Sequence, residues 1–359
     1  MKIIDRYLLR EMAGPFVFGV LAFVVFFVSA NILFKLTELV GELGLSMWTA
    51  GELFLLWLPR FVVLTFPLAT LVAVLIAFGR LSGDSELVAM HAGGISFRRL
   101  VLPIAVAGLM VSMVTAAFNE LVVPACNRRA EDIVRAAAAR AGEAQQQEIF
   151  HKQAPGGQLT WLLYAERLDV KSGEMYGLVI TWFQGGRPRM VTVAQRAKWQ
   201  GEEWKLYHGT YTSLEADRPA VVDFEAFSAK LPSSPEEIAR ESREPTEMTY
   251  RELREHIRYT VDQNRPTTEL ELSLHHKFSI PFACLVFALI APPLGMRSHR
   301  GSSSIGMGIA ILIGFAYYVV WHYLSAVSQQ GLLSPSWAAW LPNLVTAAVG
   351  ATLILRVRK

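Results

Sequence analysis

The chain has 359 residues, a formal net charge of +3, 52% hydrophobic residues and 18% charged ones. Soluble domains carry roughly 25% charged residues, so this composition excludes a disordered chain, a collagen-like repeat and a small disulfide scaffold. Of the 65 Asp, Glu, Lys and Arg residues, 44 fall between Arg128 and Lys277, leaving 21 for the other 209 positions. Two materials are joined, apolar at both ends and water-soluble in the middle.

A helix needs about 20 apolar residues to cross a bilayer. Residues 13–34 carry no charge, residues 53–78 carry only Arg60, and residues 100–119 are again uncharged. After the polar middle, residues 278–296 are uncharged, and residues 301–355 contain no Asp, Glu, Lys or Arg. That last stretch is too long for one span. Turn residues at Ser328-Gln329-Gln330-Gly331 and Ser334-Pro335-Ser336 divide it into a helical hairpin. The reading is six spans, three on each side of the soluble segment. A secretory signal peptide competes for the first run, but its apolar core is only about 7–15 residues. This run is longer and continues into Asn31 and Lys35, so an uncleaved first span is predicted.

Short loops rich in Lys and Arg face the cytoplasm. Lys2, Arg6, Arg10, Arg80, Arg98, Arg99, Arg297, Arg300, Arg356, Arg358 and Lys359 all fall on one side. The first and fifth loops hold only Lys35. Both termini are therefore predicted to be cytoplasmic, and the soluble segment, 128–274, lies outside. The segment opens with an Ala- and Arg-rich stretch, 128–147, predicted to continue helically from the third span. Short β-rich runs follow at 159–164, 176–182, 190–193, 204–207 and 221–227, separated by Gly-containing breaks. Such spacing predicts a β-sandwich or jelly roll. Thr249 and Glu252 form a capping-box pattern opening an exposed helix to about Gln263. The cysteines, Cys126 and Cys284, lie in or beside spans, so the outer domain is predicted to have no disulfide.

No phosphate-binding Gly-x-x-x-x-Gly-Lys-Ser/Thr loop, His-Glu-x-x-His pair or Gly-x-Ser-x-Gly elbow occurs. His275 and His276 are adjacent and do not share a helix face. No catalytic residues and no metal site are predicted. The class is a transporter part, a channel, a sensor or a scaffold.

The second cytoplasmic loop is more specific. Arg80-Leu81-Ser82-Gly83-Asp84-Ser85-Glu86-Leu87-Val88-Ala89-Met90-His91-Ala92-Gly93-Gly94-Ile95-Ser96 resembles the loop of the LptF/LptG permeases, the transmembrane subunits of the lipopolysaccharide-export ABC transporter. Asp5 to Glu11, Phe66-Pro67-Leu68-Ala69, His276 to Pro281, Pro293 to Arg297 and Trp340-Leu341-Pro342-Asn343 carry the resemblance across the chain. It implies a six-helix (3+3) membrane protein with an inserted periplasmic β-jellyroll domain, divided as 1–127, 128–274 and 275–359. It further implies an inner-membrane permease with no cofactor of its own, ATP and Mg residing on the partner ATPase. The implied partners are a second LptF/LptG-type chain in a hetero- or homodimer, two LptB-type ATPase subunits, LptC-type and LptA-type jellyroll proteins, and lipopolysaccharide. Nucleic acid is not among them. A membrane-anchored sensor or scaffold with a ligand-binding β domain is the rival reading.

On the residues alone, the loop reads as a short interfacial helix at about 82–93, capped by Asp84 or Ser82, with Glu86 in its first turn and Gly93-Gly94 ending it. The resemblance makes it the coupling helix. Asp84, Ser85 and Glu86 are then placed at the ATPase, with Leu87 and Met90 seating the helix. Lys35, Arg60, Arg128 and Arg129 lie near the outer face. They either snorkel to lipid head groups or pair with the phosphates of the transported lipid. The family's lateral gate falls on the first and fifth spans. It corresponds by helical spacing to Phe26, Ser29, Ile32 and Leu33 on one side and Ile311, Phe315, Tyr318 and His322 on the other. His322 and Trp321 read as an interfacial anchor ahead of substrate contact, since amphipathic rings favour that depth. Trp161, Leu163, Ile180 and Phe224 either line a jellyroll groove or fill an ordinary sandwich core.

Overall fold

A computed structural model describes residues 3–140, 149–153, 161–169, 172–185, 187–201, 203–214, 220–229, 234–235, 245, 248–262, 266–296 and 303–356. The chain divides into two compact units: Met1–Val40, Ser46–Ala130 and Thr268–Lys359 form one, and Gly41–Leu45 with Glu131–Thr267 form the other.

The first unit holds six helices long and apolar enough to cross a membrane. They belong to α1 (Ile3–Leu43), α2 (Met47–Gly83), α4 (Phe97–Arg140), α6 (Thr268–Met296), α7 (Ser303–Gln329) and α8 (Pro335–Arg356). A short helix, α3 (Glu86–Ala92), lies between α2 and α4. The hairpin predicted in the last apolar stretch is present, turning at Gly331 and restarting with Pro335 at the first helical position. α4 passes without a break beyond the end of its apolar run to Arg140. Residues 141–147, expected to extend it, lie outside the described residues, as do Lys2, Arg297, Arg300, Arg358 and Lys359 of the charge count.

α2 and α6 form the centre of this unit. In their most apolar stretches 72% and 67% of residues are buried, against 17% in α1 and 17% in α7. Leu71, Leu75 and Phe78 of α2 meet Phe287 and Ala291 of α6, with Leu8 of α1, Leu100 of α4 and Tyr317 of α7 in the same cluster. Lipid offers apolar groups as good a solvent as a protein core, so close backbone approach and polar contacts must hold such helices together. Both occur. A Cβ on Gly108 of α4 would lie 2.5 Å from the Cβ of Ala288 on α6. Asn343 Nδ2 donates to Ser279 O at 2.8 Å, and Asn343 Oδ1 accepts from the Tyr317 hydroxyl at 3.0 Å, joining α8, α6 and α7. The Ser82 hydroxyl donates to Met296 O at 3.1 Å, satisfying a carbonyl at the end of α6. Between α4 and α6, Lys277 Nζ pairs with Glu120 Oε2 at 3.3 Å, the lysine side chain only 8% exposed.

The second unit contains a six-stranded antiparallel sheet: β1 (Ile149–Gln153), β2 (Trp161–Asp169), β3 (Glu174–Gln184), β4 (Arg187–Trp199), β5 (Trp204–Ser213) and β6 (Ala220–Ala229). Each strand pairs with its sequence neighbours, in the order β1-β2-β3-β4-β5-β6. This is the expected β domain inserted between the two halves of the helical unit. Inward residues alternate normally at Trp161, Leu163 and Ala165, then step by three to Leu168. The facing strands repeat the step: Leu178 to Met175 on β3 and Ala194 to Ala197 on β4. A line of phase shift therefore crosses the sheet while the pairing register is kept on both sides of it. Gly177 (φ 58°) and His208 (φ 49°) sit on that line. Helix α5 (Tyr250–Asp262) follows, and its capping box is formed: Thr249 N donates to Glu252 Oε2 at 2.8 Å and Glu252 N to Thr249 Oγ1 at 3.3 Å.

Candidate coupling helix and gate helices

α3 begins at Glu86, not near residue 82, because α2 runs on through Gly83. Ser85, at φ 60° in the left-handed region, breaks the path between the two helices. The expected cap is corrected with it. Ser82 is committed to Met296 O, Asp84 closes α2 through its backbone N–H to Arg80 O, and Ser85 stands at the cap position without a side-chain cap bond. The other end is as expected. Ile95 N donates to Met90 O at 3.1 Å and Gly94 N to His91 O at 2.9 Å, with Gly94 at φ 82°, a position that favours glycine.

The helix has one buried face. Leu87 is 2% exposed and joins the cluster of Leu81, Phe97 and Leu100, with Met90 packed beside it. Val88, Ala89, His91 and Ala92 are exposed, as are Asp84 and Ser85. Glu86 is half-buried, and its Oε2 accepts a hydrogen bond from the Tyr7 hydroxyl at 2.7 Å. Arg80 Nη2 donates to the same hydroxyl at 3.2 Å and pairs with Glu11 at 2.5 Å. Arg99 pairs with Asp5 at 2.7 Å. The first turns of α1 are thus bound by polar contacts to the end of α2 and the starts of α3 and α4. Sequence reading did not single out Tyr7, Glu11, Arg80 or Asp5 for this. Acidic and aromatic residues among the basic helix ends are the available signal.

The four basic residues proposed for head-group contact lie at the end of the bundle remote from α3. All four are exposed. Lys35 Nζ stands 5.1 Å from the Trp57 ring centroid, a cation–π contact between α1 and α2. Arg129 Nε lies 3.9 Å from Glu52 Oε1. Arg60 is one turn beyond Trp57 on α2, and Arg128 precedes Arg129 on α4.

Of the gate positions, Phe26 and Ser29 on α1 and Ile311, Phe315 and His322 on α7 are exposed. Ile32 is buried at 2% exposure. The Leu33 side chain lies outside what is described. Tyr318 is half-buried, and its hydroxyl donates to Leu64 O at 2.8 Å, tying α7 to α2. Trp321 packs on His276 at 4.7 Å between ring centroids. In the sheet, Leu163 and Ile180 face each other across β2 and β3 and are fully buried, Trp161 is 2% exposed, and Phe224 packs against the same cluster. All four point to one apolar interior. Its rim is polar: Glu174 accepts from the Tyr176 hydroxyl at 2.7 Å, from Lys198 at 3.3 Å and from Arg196. These donors hold its carboxyl at about 2, well below the usual range, the Tyr176 hydrogen bond first among them. No group of three His, Cys, Asp or Glu able to hold a metal occurs among the described residues.

The family model "Lipopolysaccharide export system permease LptF/LptG" matches residues 6–356. The chain is 23% identical to the permease protein LptG of Haemophilus influenzae, covering 99% of each chain. It is 23% identical to LptG of Escherichia coli K12, over 99% of this chain and 98% of that one. It is also 23% identical to LptF of the same strain, over 98% and 94%. The likeness to the two subunit types is equal and spans both the helices and the inserted sheet, so the chain belongs to the LptF/LptG family of lipopolysaccharide export system permeases.

Proposed function

We propose that this chain is the permease subunit of an ABC exporter that extracts lipopolysaccharide from the inner membrane and passes it toward the outer membrane along a periplasmic β-jellyroll bridge. The observation that carries the reading is the family match over residues 6–356, which includes six apolar helices and the inserted sheet in one continuous alignment. A sensor or scaffold would not require that whole arrangement.

In this reading the chain hydrolyses nothing itself. Two LptB-type ATPase subunits bind ATP and Mg, and one of them engages α3 through Asp84, Ser85 and Glu86, Leu87 and Met90 anchoring the helix to the bundle. A second LptF/LptG-type chain completes the complex, and LptC-type and LptA-type proteins continue the β domain. Both termini and α3 face the cytoplasm, and the sheet faces the periplasm. The exposed residues of α1 and α7, Phe26, Ser29, Ile311 and Phe315, line the lateral entry for acyl chains. Lys35, Arg60, Arg128 and Arg129 meet the head-group phosphates, which favour guanidinium and ammonium donors. The buried face of the sheet at Trp161, Leu163, Ile180 and Phe224 supplies the apolar track.

Affinity purification of the full chain from its native membrane tests this. A stoichiometric ATPase and lipopolysaccharide-stimulated hydrolysis are expected, with Glu86→Ala weakening one or both. A complex lacking an ATPase would sink the reading.

A further inference from the structure

Glu86 does more in this chain than face outward. Its Oε2 takes the Tyr7 hydrogen bond, Tyr7 takes one from Arg80, and Arg80 pairs with Glu11. The series runs α3, α1, α2 and back to α1, since Tyr7 and Glu11 are one turn apart on α1. Glu86 Oε1 makes no hydrogen bond among the described residues. The side-chain hydrogen bonds and ion pairs of α1 to α2, α3 and α4 lie at this end. Leu8 and Met12 are buried here, while only 17% of its most apolar stretch is buried. Polar contacts at this end therefore contribute to the position of α1 together with the buried Val28, Ile32 and Leu36 further along it.

We propose that Tyr7 is a positioning residue that links α3 to α1. It fixes the Glu86 carboxylate, and it carries displacement of α3 to the helix bearing Phe26 and Ser29. This rests on the reading that α3 is the ATPase-docking helix. The physical basis is the strength and geometry of the series. A phenol-to-carboxylate hydrogen bond is charge-assisted and roughly twice as strong as a neutral one. Arg80, donating to the phenol oxygen, polarises the hydroxyl and strengthens its donation to Glu86. When a partner's donor draws Glu86 toward Oε1, the Tyr7 bond lengthens, Arg80 loses part of its anchorage, and the Glu11 contact shifts with it. Docking at α3 and the position of α1 are then two readouts of one hydrogen-bonded unit.

The test uses the full complex in liposomes. Y7F removes the hydroxyl and keeps the packing of the ring. It is expected to retain the ATPase at wild-type stoichiometry and to lower lipid moved per ATP hydrolysed about tenfold. Spin labels at exposed Ile3 and Val88 are expected to show a broadened distance distribution. E11Q, at the far end of the series, is expected to lower the same ratio. A merely structural role would reduce assembly and melting temperature and leave the ratio per assembled complex at its wild-type value. A wild-type ratio and a sharp distance in Y7F, while Glu86→Ala still loses the ATPase, overturns the link and leaves the docking reading intact. If Glu86→Ala keeps both the ATPase and its lipid-stimulated hydrolysis, the docking reading fails and the link fails with it. Should Y7F not assemble, E11Q decides alone, and a wild-type ratio overturns the proposal.

Discussion

Truncating Leu87 to Ala tests how α3 is held. The side chain is 2% exposed, packed among Leu81, Phe97 and Leu100. Buried Leu→Ala changes cost about 2–5 kcal/mol. α3 has seven residues, far below the length of about 12–15 at which an isolated helix is even marginal. Its order therefore depends on that anchor, with Met90 as the second contact. Taking the lower figure of about 2 kcal/mol, the ratio of docked to undocked α3 falls about 30-fold. Amide hydrogen exchange in the full chain reads this directly. The amides of Ala89, Gly93 and Ile95, bonded to Ser85 O, Ala89 O and Met90 O, are expected to exchange about 30-fold faster in L87A. The amides of Leu71 to Leu75, in the centre of α2, should keep their protection. V88A, at a position 57% exposed, should leave all of them unchanged. Wild-type protection of α3 in L87A would refute the claim that one apolar anchor seats the helix.

Other consequences are as direct. The Glu120–Lys277 pair is asymmetric, with the lysine 8% and the glutamate 36% exposed. E120Q strands a buried ammonium and should cost up to about 3 kcal/mol, more than K277M, so melting of the solubilised chain should rank wild type, K277M, E120Q. G108V places a branched side chain where even a Cβ would lie 2.5 Å from Ala288 Cβ. It should lower the melting temperature by an amount equivalent to about 1–3 kcal/mol. The Glu174 carboxyl, held at about 2 in the folded sheet, sits below its ordinary value of 4.5. Its contribution is complete above that ordinary value and is lost as pH falls toward 2. Exchange protection of β3 and β4 should therefore decline between pH 4.5 and 2 in wild type, and less steeply in E174Q.

The parts legible in the sequence are those that short-range chemistry dictates. Uncharged length marked the six spans, turn residues around Gly331 and Pro335 marked the hairpin, and the Thr249–Glu252 pattern marked the start of α5. Gly93-Gly94 marked the end of α3. The start of α3 is not legible because Asp84 and Ser82 are both good cap residues, and only the path of α2 decides that neither caps α3. Five of the six strands are legible but cut short, and β1 (Ile149–Gln153) has no β-rich signal of its own. On β5 the apolar pattern ends at Tyr207, because His208 at φ 49° shifts the inward phase of the residues that follow. The run on β4 stops at Val193 for the same reason, before the step from Ala194 to Ala197. The Tyr7–Glu86 and Arg80–Tyr7 bonds join residues 79 and 73 positions apart, and no local spacing announces them. Asp5 and Glu11, the acids that pair with Arg99 and Arg80 at those helix ends, carry no weight in a Lys and Arg count.

ATP-driven export of lipopolysaccharide through this chain can be read directly. The most direct measurement reconstitutes the purified complex in liposomes containing lipopolysaccharide and adds a soluble jellyroll acceptor carrying a photo-crosslinker. Crosslinking of lipopolysaccharide to the acceptor is expected to require ATP and to disappear with Arg60→Glu in an otherwise assembled complex. Vigorous ATP hydrolysis with no lipopolysaccharide reaching the acceptor would contradict it.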